Sequence, residues 1–133
     1  ILTSKNKIKI FRNCKRLYTL IIKPSYGCST EYIYSLVKKF DRAKFNKPTK
    51  KMFNPNFLKR MSNSLEKIAF KRYSSLKKIK EYLINLQNPI FVRMTGSGSA
   101  LVSYYYSKKQ CDKAQKKFIK DYKKYWCINS KTI

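Results

Sequence analysis

The 133-residue sequence has no histidine and only six acidic residues. Without histidine, the chain by itself cannot form a Ser-His-Asp triad, a Cys-His nucleophile pair or a zinc site that needs an imidazole ligand. The acids are scattered along the chain, and no two of them form an obvious acid–base pair. They are Glu31, Asp41, Glu66, Glu81, Asp112 and Asp121. We therefore predict that this chain contains no catalytic residue and no metal ligand.

Glycine, proline and long apolar runs are also scarce. The sequence has 3 Gly and 4 Pro, and no apolar run approaches the roughly 18 residues of a membrane-spanning helix. Hydrophobic residues make up 43% of the chain, which is enough to fold around a core. Because 133 residues suffice for one domain but not for two, we expect one globular domain, without a transmembrane segment, in the cytoplasm.

The cysteines and the N-terminus carry no secretory or metal-binding pattern. Cys14, Cys28, Cys111 and Cys127 form no C-x-x-C pair, and without a secretory signal the sequence favours reduced, buried thiols over disulfides. The first residues, "ILTSKNKIKIF", begin without Met and contain no signal peptide. We interpret the chain as a piece of a longer protein.

The charge is almost entirely of one sign. Lys and Arg number 32, which gives a net charge of +26, and such an excess favours polyanionic partners. However, only 6 of these residues are Arg, the side chain that nucleic-acid readers prefer at base edges. The chain is also rich in Ile, Asn, Tyr and Phe, which share AT-rich codons with Lys, so codon composition can produce much of the charge without selection for binding. A small basic nucleic-acid-binding module remains the alternative function.

Hydrophobic periodicity predicts the first elements. The run "RLYTLIIKP" reads as a strand that Pro24 ends. Thr30 is then expected to cap a helix with four apolar residues on one face, and residues 41–55 are predicted to be a loop. The four residues are Ile33, Leu36, Val37 and Phe40.

The second half of the chain predicts further helices and strands. Asn63 and Glu66 resemble a capping pair for a helix to about Tyr73, and an amphipathic helix through Leu76, Ile79, Leu83 and Leu86 follows. The runs "IFVRM", "ALVSYYY" and "YWCI" read as strands, with a Lys-rich helix through Ala114, Phe118 and Tyr122 before the last one. This order predicts an α+β domain, an antiparallel sheet with helices packed on one face.

Two stretches contain glycine next to hydroxyl or aromatic side chains. Arg93 to Ala100 reads "RMTGSGSA", in which Gly96 and Gly98 permit positive φ and close approach of a ligand. A plain hairpin turn is the local alternative. Ile22 to Tyr34 reads "IKPSYGCSTEYIY", in which a glycine turn leads into a helix whose tyrosines can stack on a base or simply pack.

Together these stretches resemble the GHMP-superfamily small-molecule kinases, whose C-terminal half carries a Gly-rich motif of the form x-x-[ST]-G-[ST]-G-[SAG]. Within that superfamily, the text around Tyr34 resembles the 4-diphosphocytidyl-2-C-methyl-D-erythritol kinases. The departures are Ser25, Tyr26 and Cys28, where the family usually has Asn, Phe and an aliphatic residue. The segment "NSLEKIAFKRYSSLKKIKEYL" also looks like the family's middle helices, so the resemblance covers nearly the whole chain.

The resemblance implies a fold and an activity. Residues 16–133 would form a ferredoxin-like GHMP kinase C-terminal domain, and residues 1–15 the end of an N-terminal ATP-binding domain. The complete enzyme would use ATP with magnesium, bound mainly by that N-terminal domain, to phosphorylate the 2-hydroxyl of the cytidine-diphosphate substrate in isoprenoid synthesis. Tyr34 would stack on the cytosine, and Gly96, Ser97, Gly98 and Ser99 would face the diphosphate. No membrane or nucleic acid is expected as a partner.

Overall fold

The computed structural model describes residues 11–38 and 49–132, and four strands in these ranges form one sheet. The strands are β1 (Tyr18–Lys23), β2 (Phe91–Met94), β3 (Leu101–Tyr105) and β4 (Trp126–Lys131). Their order across the sheet is β2-β3-β1-β4, and every neighbouring pair is antiparallel. With helices between β1 and β2 and between β3 and β4, this is the β-α-β-β-α-β arrangement of ferredoxin-like folds. The predicted α+β class is confirmed.

Five α-helices are present in the described residues. They are α1 (Thr30–Ser35), α2 (Pro55–Arg60), α3 (Leu65–Arg72), α4 (Ser74–Ile84) and α5 (Lys108–Asp121), and a 3₁₀ helix at Lys50–Phe53 precedes α2. No helix within residues 11–38 or 49–132 is long and apolar enough to cross a membrane.

The core lies between one face of the sheet and the helices α4 and α5. Strand side chains alternate between the two faces, so Leu20 and Ile22 of β1 share a face and both are fully buried. The buried stripe Leu76, Ile79 and Leu83 of α4 belongs to the same cluster. The residues that the helical spacing in the sequence places on one face of α4 are therefore the ones that pack in the core.

Helix α1 is shorter than the sequence predicts. It ends at Ser35, and Leu36 lies 42% exposed after it. Its N-cap is Ser29, whose Oγ accepts a hydrogen bond from the backbone N–H of Tyr32 at 3.2 Å. Thr30, the predicted cap, instead bonds to the side chain of Ser97. Of the predicted apolar face, Phe40 lies outside the described residues.

The predicted loop over residues 41–55 is wrong at its C-terminal end. Asn54 accepts a hydrogen bond from the Asn56 backbone N–H at 2.9 Å, and Pro55 occupies the first turn, so the two residues start α2. The C-terminal end of α2 contacts Arg93, whose position in β2 alternates with the core-facing Val92 and Met94. This part of the chain therefore reaches the second face of the sheet. Residues 41–48 lie outside the described ranges.

We expect Phe118→Ala to destabilise the domain by about 3–5 kcal/mol, because Phe118 is fully buried and its ring stacks on Tyr122 at 4.8 Å. Ile119→Ala on the same helix is the control. Ile119 is 48% exposed, so its truncation should change the free energy of unfolding by no more than about 0.5 kcal/mol. Urea denaturation of both variants checks this expectation, and equal losses would contradict the core assignment.

Candidate functional site

A cleft of about 600 Å³ opens at the end of β2, between the C-terminal end of α1 and the N-terminal end of α3. Its described lining comes from four segments. They are α1 with the turn that follows it, the start of α3, the end of β2 with its following loop, and β3. The lining residues are Tyr34, Val37, Ser62, Asn63, Ser64, Leu65, Arg93, Met94, Thr95, Gly96, Val102 and Tyr104. Residues that are far apart in the sequence thus meet in one concave site.

Tyr34 contributes an aromatic ring to this cleft. Its neighbour Ile33 is the residue of α1 that is fully buried, and it anchors the helix in the core. Tyr34 itself is 50% exposed. The ring is therefore a wall of the cleft and is free to contact a ligand.

The loop between β2 and β3 presents only its first part to the cleft. Thr95 and Gly96 line the cleft, and Gly96 has φ +55°, a left-handed conformation that glycine adopts without strain. The Thr95 backbone N–H donates to the Ala100 carbonyl at 2.9 Å and closes the loop. The family resemblance implies that four residues of this loop, Gly96 to Ser99, face a substrate. Of these four, Gly96 lines the cleft in the part of the chain that the structure describes.

The remaining loop residues dock on the segment before α1. Ser97 and Thr30 share a hydrogen bond between their hydroxyls at 2.9 Å, across 67 residues of sequence. The Ser99 hydroxyl donates to the Tyr26 carbonyl at 2.8 Å. Both serines are buried. The two stretches singled out in the sequence are thus held against each other by hydrogen bonds.

Gly98 makes the closest part of this docking. Its φ is +100°, and a Cβ atom there would lie 2.9 Å from the Cys28 Sγ and 3.0 Å from the Met94 Sδ. Any larger residue would push these sulfur atoms aside. Gly98 therefore serves the packing of the loop against Cys28 and Met94.

The start of α3 holds the opposite side of the loop. The Asn63 side-chain amide donates to the Met94 carbonyl at 2.9 Å and to the Gly96 carbonyl at 2.7 Å. Its Oδ1 accepts from the Leu65 backbone N–H at 3.0 Å. The Glu66 Oε1 accepts from the Met94 backbone N–H at 2.7 Å, and Glu66 also pairs with Lys80.

These contacts revise the predicted capping pair of Asn63 and Glu66. Asn63 does bond to the first turn, but the residue that immediately precedes α3 is Ser64. The Glu66 side chain bonds to β2 and α4, while the Glu66 backbone N–H donates to the Asn63 carbonyl at 3.0 Å. The spacing of Asn63 and Glu66 in the sequence indicated that both act at the start of a helix. It carried no signal for their hydrogen bonds to β2.

Arg93 is the one charged residue among the described residues that line the cleft. Its guanidinium donates to the backbone carbonyls of Leu58 and Met61 and lies 4.7 Å over the Phe91 ring. Phe91 in turn stacks on Tyr104 at 4.3 Å. Both hydrogen bonds come from Nη2, so the guanidinium keeps its positive charge. The described lining presents this charge together with aromatic, apolar and neutral polar groups.

Burial disfavours the ionised form of two nucleophilic side chains nearby. Burial raises the pKa of the Cys28 thiol, which lies against the Gly98 backbone. Burial also raises the pKa of the Tyr104 hydroxyl, and the charge of Arg93 opposes this shift. Elsewhere, burial is the main cause that raises the pKa of the Cys111 and Cys127 thiols to about 11. Among residues 11–38 and 49–132, no group of three or more His, Cys, Asp or Glu side chains could hold a metal ion.

Comparisons with known proteins agree on one relationship. The chain is 48% identical over all of its 133 residues to a 4-diphosphocytidyl-2-C-methyl-D-erythritol kinase of Pelagibacter ubique (strain HTCC1062). It is 27% identical over 119 residues to a kinase of the same name from Syntrophomonas wolfei. This chain is homologous to the C-terminal part of these kinases.

The structural comparison supports the same fold. A crystal structure of 4-(cytidine 5'-diphospho)-2C-methyl-D-erythritol kinase matches 86% of the chain with a TM-score of 0.63 and 18% identity. The chain spans 47% and 41% of the two homologous kinases, and 42% of the kinase in the crystal structure. No family model matches the chain.

We expect Gly98→Ala to destabilise the domain by about 3 kcal/mol, since it adds strain at positive φ and a clash with two sulfur atoms. Gly96→Ala is the matched control. Gly96 also has positive φ, but no atom lies within 4 Å of an added Cβ, so the loss should be about 1 kcal/mol. Thermal denaturation of the two variants separates the effects, and a larger loss at Gly96 would refute the close docking of Gly98.

Proposed function

We propose that this chain is the substrate-binding, C-terminal part of an ATP-dependent kinase that phosphorylates the 2-hydroxyl of 4-diphosphocytidyl-2-C-methyl-D-erythritol. The observation that carries the proposal is that Tyr34 and Gly96, from the two motifs typical of these kinases, line one cleft. The 48% identity to the kinase of that name supports it. The enzyme would act in the cytoplasm, in isoprenoid synthesis.

The lining of the cleft suits the cytidine end of such a substrate. A nucleobase is a flat, neutral ring, and an exposed tyrosine provides the π-face on which such rings stack. Tyr34 has the exposure for this role, and Ser62 and Thr95 add polar groups for the base edges or the ribose. We propose that Tyr34 stacks on the cytosine.

The loop after β2 is proposed to face the substrate diphosphate. Gly96 lies at the cleft with φ +55°, and a glycine allows a phosphate to approach the backbone closely. Ser97, Gly98 and Ser99 complete this loop, and their contacts with the segment before α1 fix its shape. Their contribution to substrate binding would then come through the backbone of the loop.

ATP and magnesium are proposed to bind mainly to the part of the kinase that this chain does not match. Phosphoryl transfer depends on groups that position ATP and its metal ion. The described residues that line the cleft offer no carboxylate for a metal and no general base. The partner of this chain would accordingly be the N-terminal, ATP-binding part of the same kinase.

A chimeric kinase tests the proposal. In it, this chain replaces the segment of the Pelagibacter ubique kinase that it matches. We expect the chimera to phosphorylate 4-diphosphocytidyl-2-C-methyl-D-erythritol with ATP, and the 133-residue chain alone to show no turnover. A chimera that folds and binds ATP but does not phosphorylate this substrate would contradict the proposal.

The alternative, nucleic-acid binding, gives a different result with the isolated chain. Binding driven by the +26 charge should show no preference among duplex sequences and should weaken steeply as salt rises. Such binding, together with no selection of cytidine nucleotides over other small nucleotides, would favour the alternative. Fluorescence anisotropy with labelled duplexes over a salt series measures the salt dependence, and competition with small nucleotides in the same assay measures the selection of cytidine nucleotides.

In the chimera, Tyr34→Ala should raise the KM for the cytidine substrate by roughly 5- to 150-fold, the equivalent of roughly 1–3 kcal/mol for base stacking. Tyr34→Phe keeps the ring and should be nearly silent, and the KM for ATP should not change. Tyr32→Ala is the control, since Tyr32 is similarly exposed on the same helix but does not line the cleft. A fall in melting temperature without a selective effect on the cytidine substrate would refute stacking by Tyr34.

A further inference from the structure

The orientation of the Asn63 amide is fixed by its chemistry. Its nitrogen carries two N–H donors, and both are used, one on the Met94 carbonyl and one on the Gly96 carbonyl. Its oxygen is used as well, by the Leu65 backbone N–H. A flipped amide would place an oxygen against two carbonyl oxygens, so the arrangement has one stable form. One side chain thereby ties the N-terminus of α3 to two points of the backbone around Thr95.

Glu66 ties the same backbone from the next turn of α3. Its carboxylate accepts the Met94 N–H and pairs with Lys80 of α4, and both side chains are largely buried. Among the four described strands β2 lies at the edge of the sheet, so none of them pairs with its outward backbone groups. Asn63 and Glu66 supply partners to both the N–H and the C=O of Met94.

We propose that Asn63 is a positioning residue for the substrate, which acts by holding the backbone from Met94 to Gly96 as one wall of the cleft. This inference rests on the proposed function. The Gly96 carbonyl belongs to a planar peptide with the Ser97 N–H, so the bond from Asn63 also fixes the direction of that N–H. Without the hydrogen bond from Asn63, the first part of the loop would no longer be held in position opposite Tyr34.

A role in positioning predicts a selective kinetic effect. The loop contacts only the cytidine substrate in the proposed arrangement, so ATP binding and the chemical step should be unaffected once substrate is bound. A residue that merely stabilises the fold would instead lower the melting temperature, with no preference between the two substrates. The ratio of the two KM values therefore separates the roles.

The test uses the chimeric kinase with Asn63→Asp, which keeps Oδ1 for the Leu65 N–H but replaces the two donors with an anionic oxygen. We expect the KM for the cytidine substrate to rise at least tenfold, while kcat and the KM for ATP stay within twofold. Asn85→Asp is the matched control. Asn85 also donates its amide to a backbone carbonyl, that of Glu81 at 3.1 Å, but it lies at the exposed end of α4.

A second variant guards against a failure of the first to fold. Asn63→Ser keeps a hydroxyl that can accept from the first turn of α3 but is too short to reach both carbonyls. It should show the same selective rise in KM. If either folded variant keeps the wild-type KM for the cytidine substrate, or if both KM values rise together, the inference is overturned. If the wild-type chimera itself fails to phosphorylate the substrate, the proposed function falls first and the inference falls with it.

Discussion

The close approach of the Gly98 backbone to Cys28 and Met94 is the contact on which the cleft depends. An added Cβ would come within 3.0 Å of both sulfur atoms, so any larger residue would have to displace the Cys28 and Met94 side chains for the loop after β2 to reach this depth. The buried hydroxyls of Ser97 and Ser99 bond to the segment before α1 on either side of the contact. Because α1 begins in that segment, its start is fixed relative to the loop. Tyr34 is exposed at the cleft as a consequence, one residue after the buried Ile33.

The end of β2 pairs with β3 on one side, and side chains hold its other, outer edge. Asn63 and Glu66 bond to the Met94 backbone, while Arg93, on the other side of the strand, bonds to the carbonyls at the end of α2. Edge strands normally leave such groups to water or to another chain. Here Asn63 and Glu66, both from the start of α3, complete the edge at Met94, and the Glu66 and Lys80 pair brings α4 into the same network. The wall of the cleft is therefore joined to the core helices and is not an independent loop.

Periodicity in the sequence predicted most of the fold, because a single buried face determines each of these elements. The strands, α4 and α5 follow their apolar repeats, and Leu76, Ile79 and Leu83 are buried as their spacing indicates. Helix α2 was missed because it buries only Pro55, and Asn54 with Pro55 was interpreted as a break rather than as a start. For the site, the structure brings Tyr34 and Gly96 to one cleft, and their roles toward a substrate stay predictions. Asn63 was noticed only as a local cap, since its partners lie 31 and 33 residues further along the chain and no local pattern encodes them.

The charge of the chain and the character of its cleft are separate properties. Of the five acids within the described residues, four form ion pairs with lysines, three of them at i,i+4 spacing on helix surfaces, where such pairs add little stability. Most of the 32 basic residues therefore have no acidic partner, and they set a positive potential that attracts anions over roughly 10 Å at ordinary salt. That potential does not distinguish one nucleotide from another. Discrimination needs a shaped site, and the described lining of this cleft is neutral apart from Arg93, whose guanidinium is engaged by backbone carbonyls. Under the proposed function, the surface charge would speed the encounter with an anionic substrate, while Tyr34 and the loop held by Asn63 would select its cytidine end.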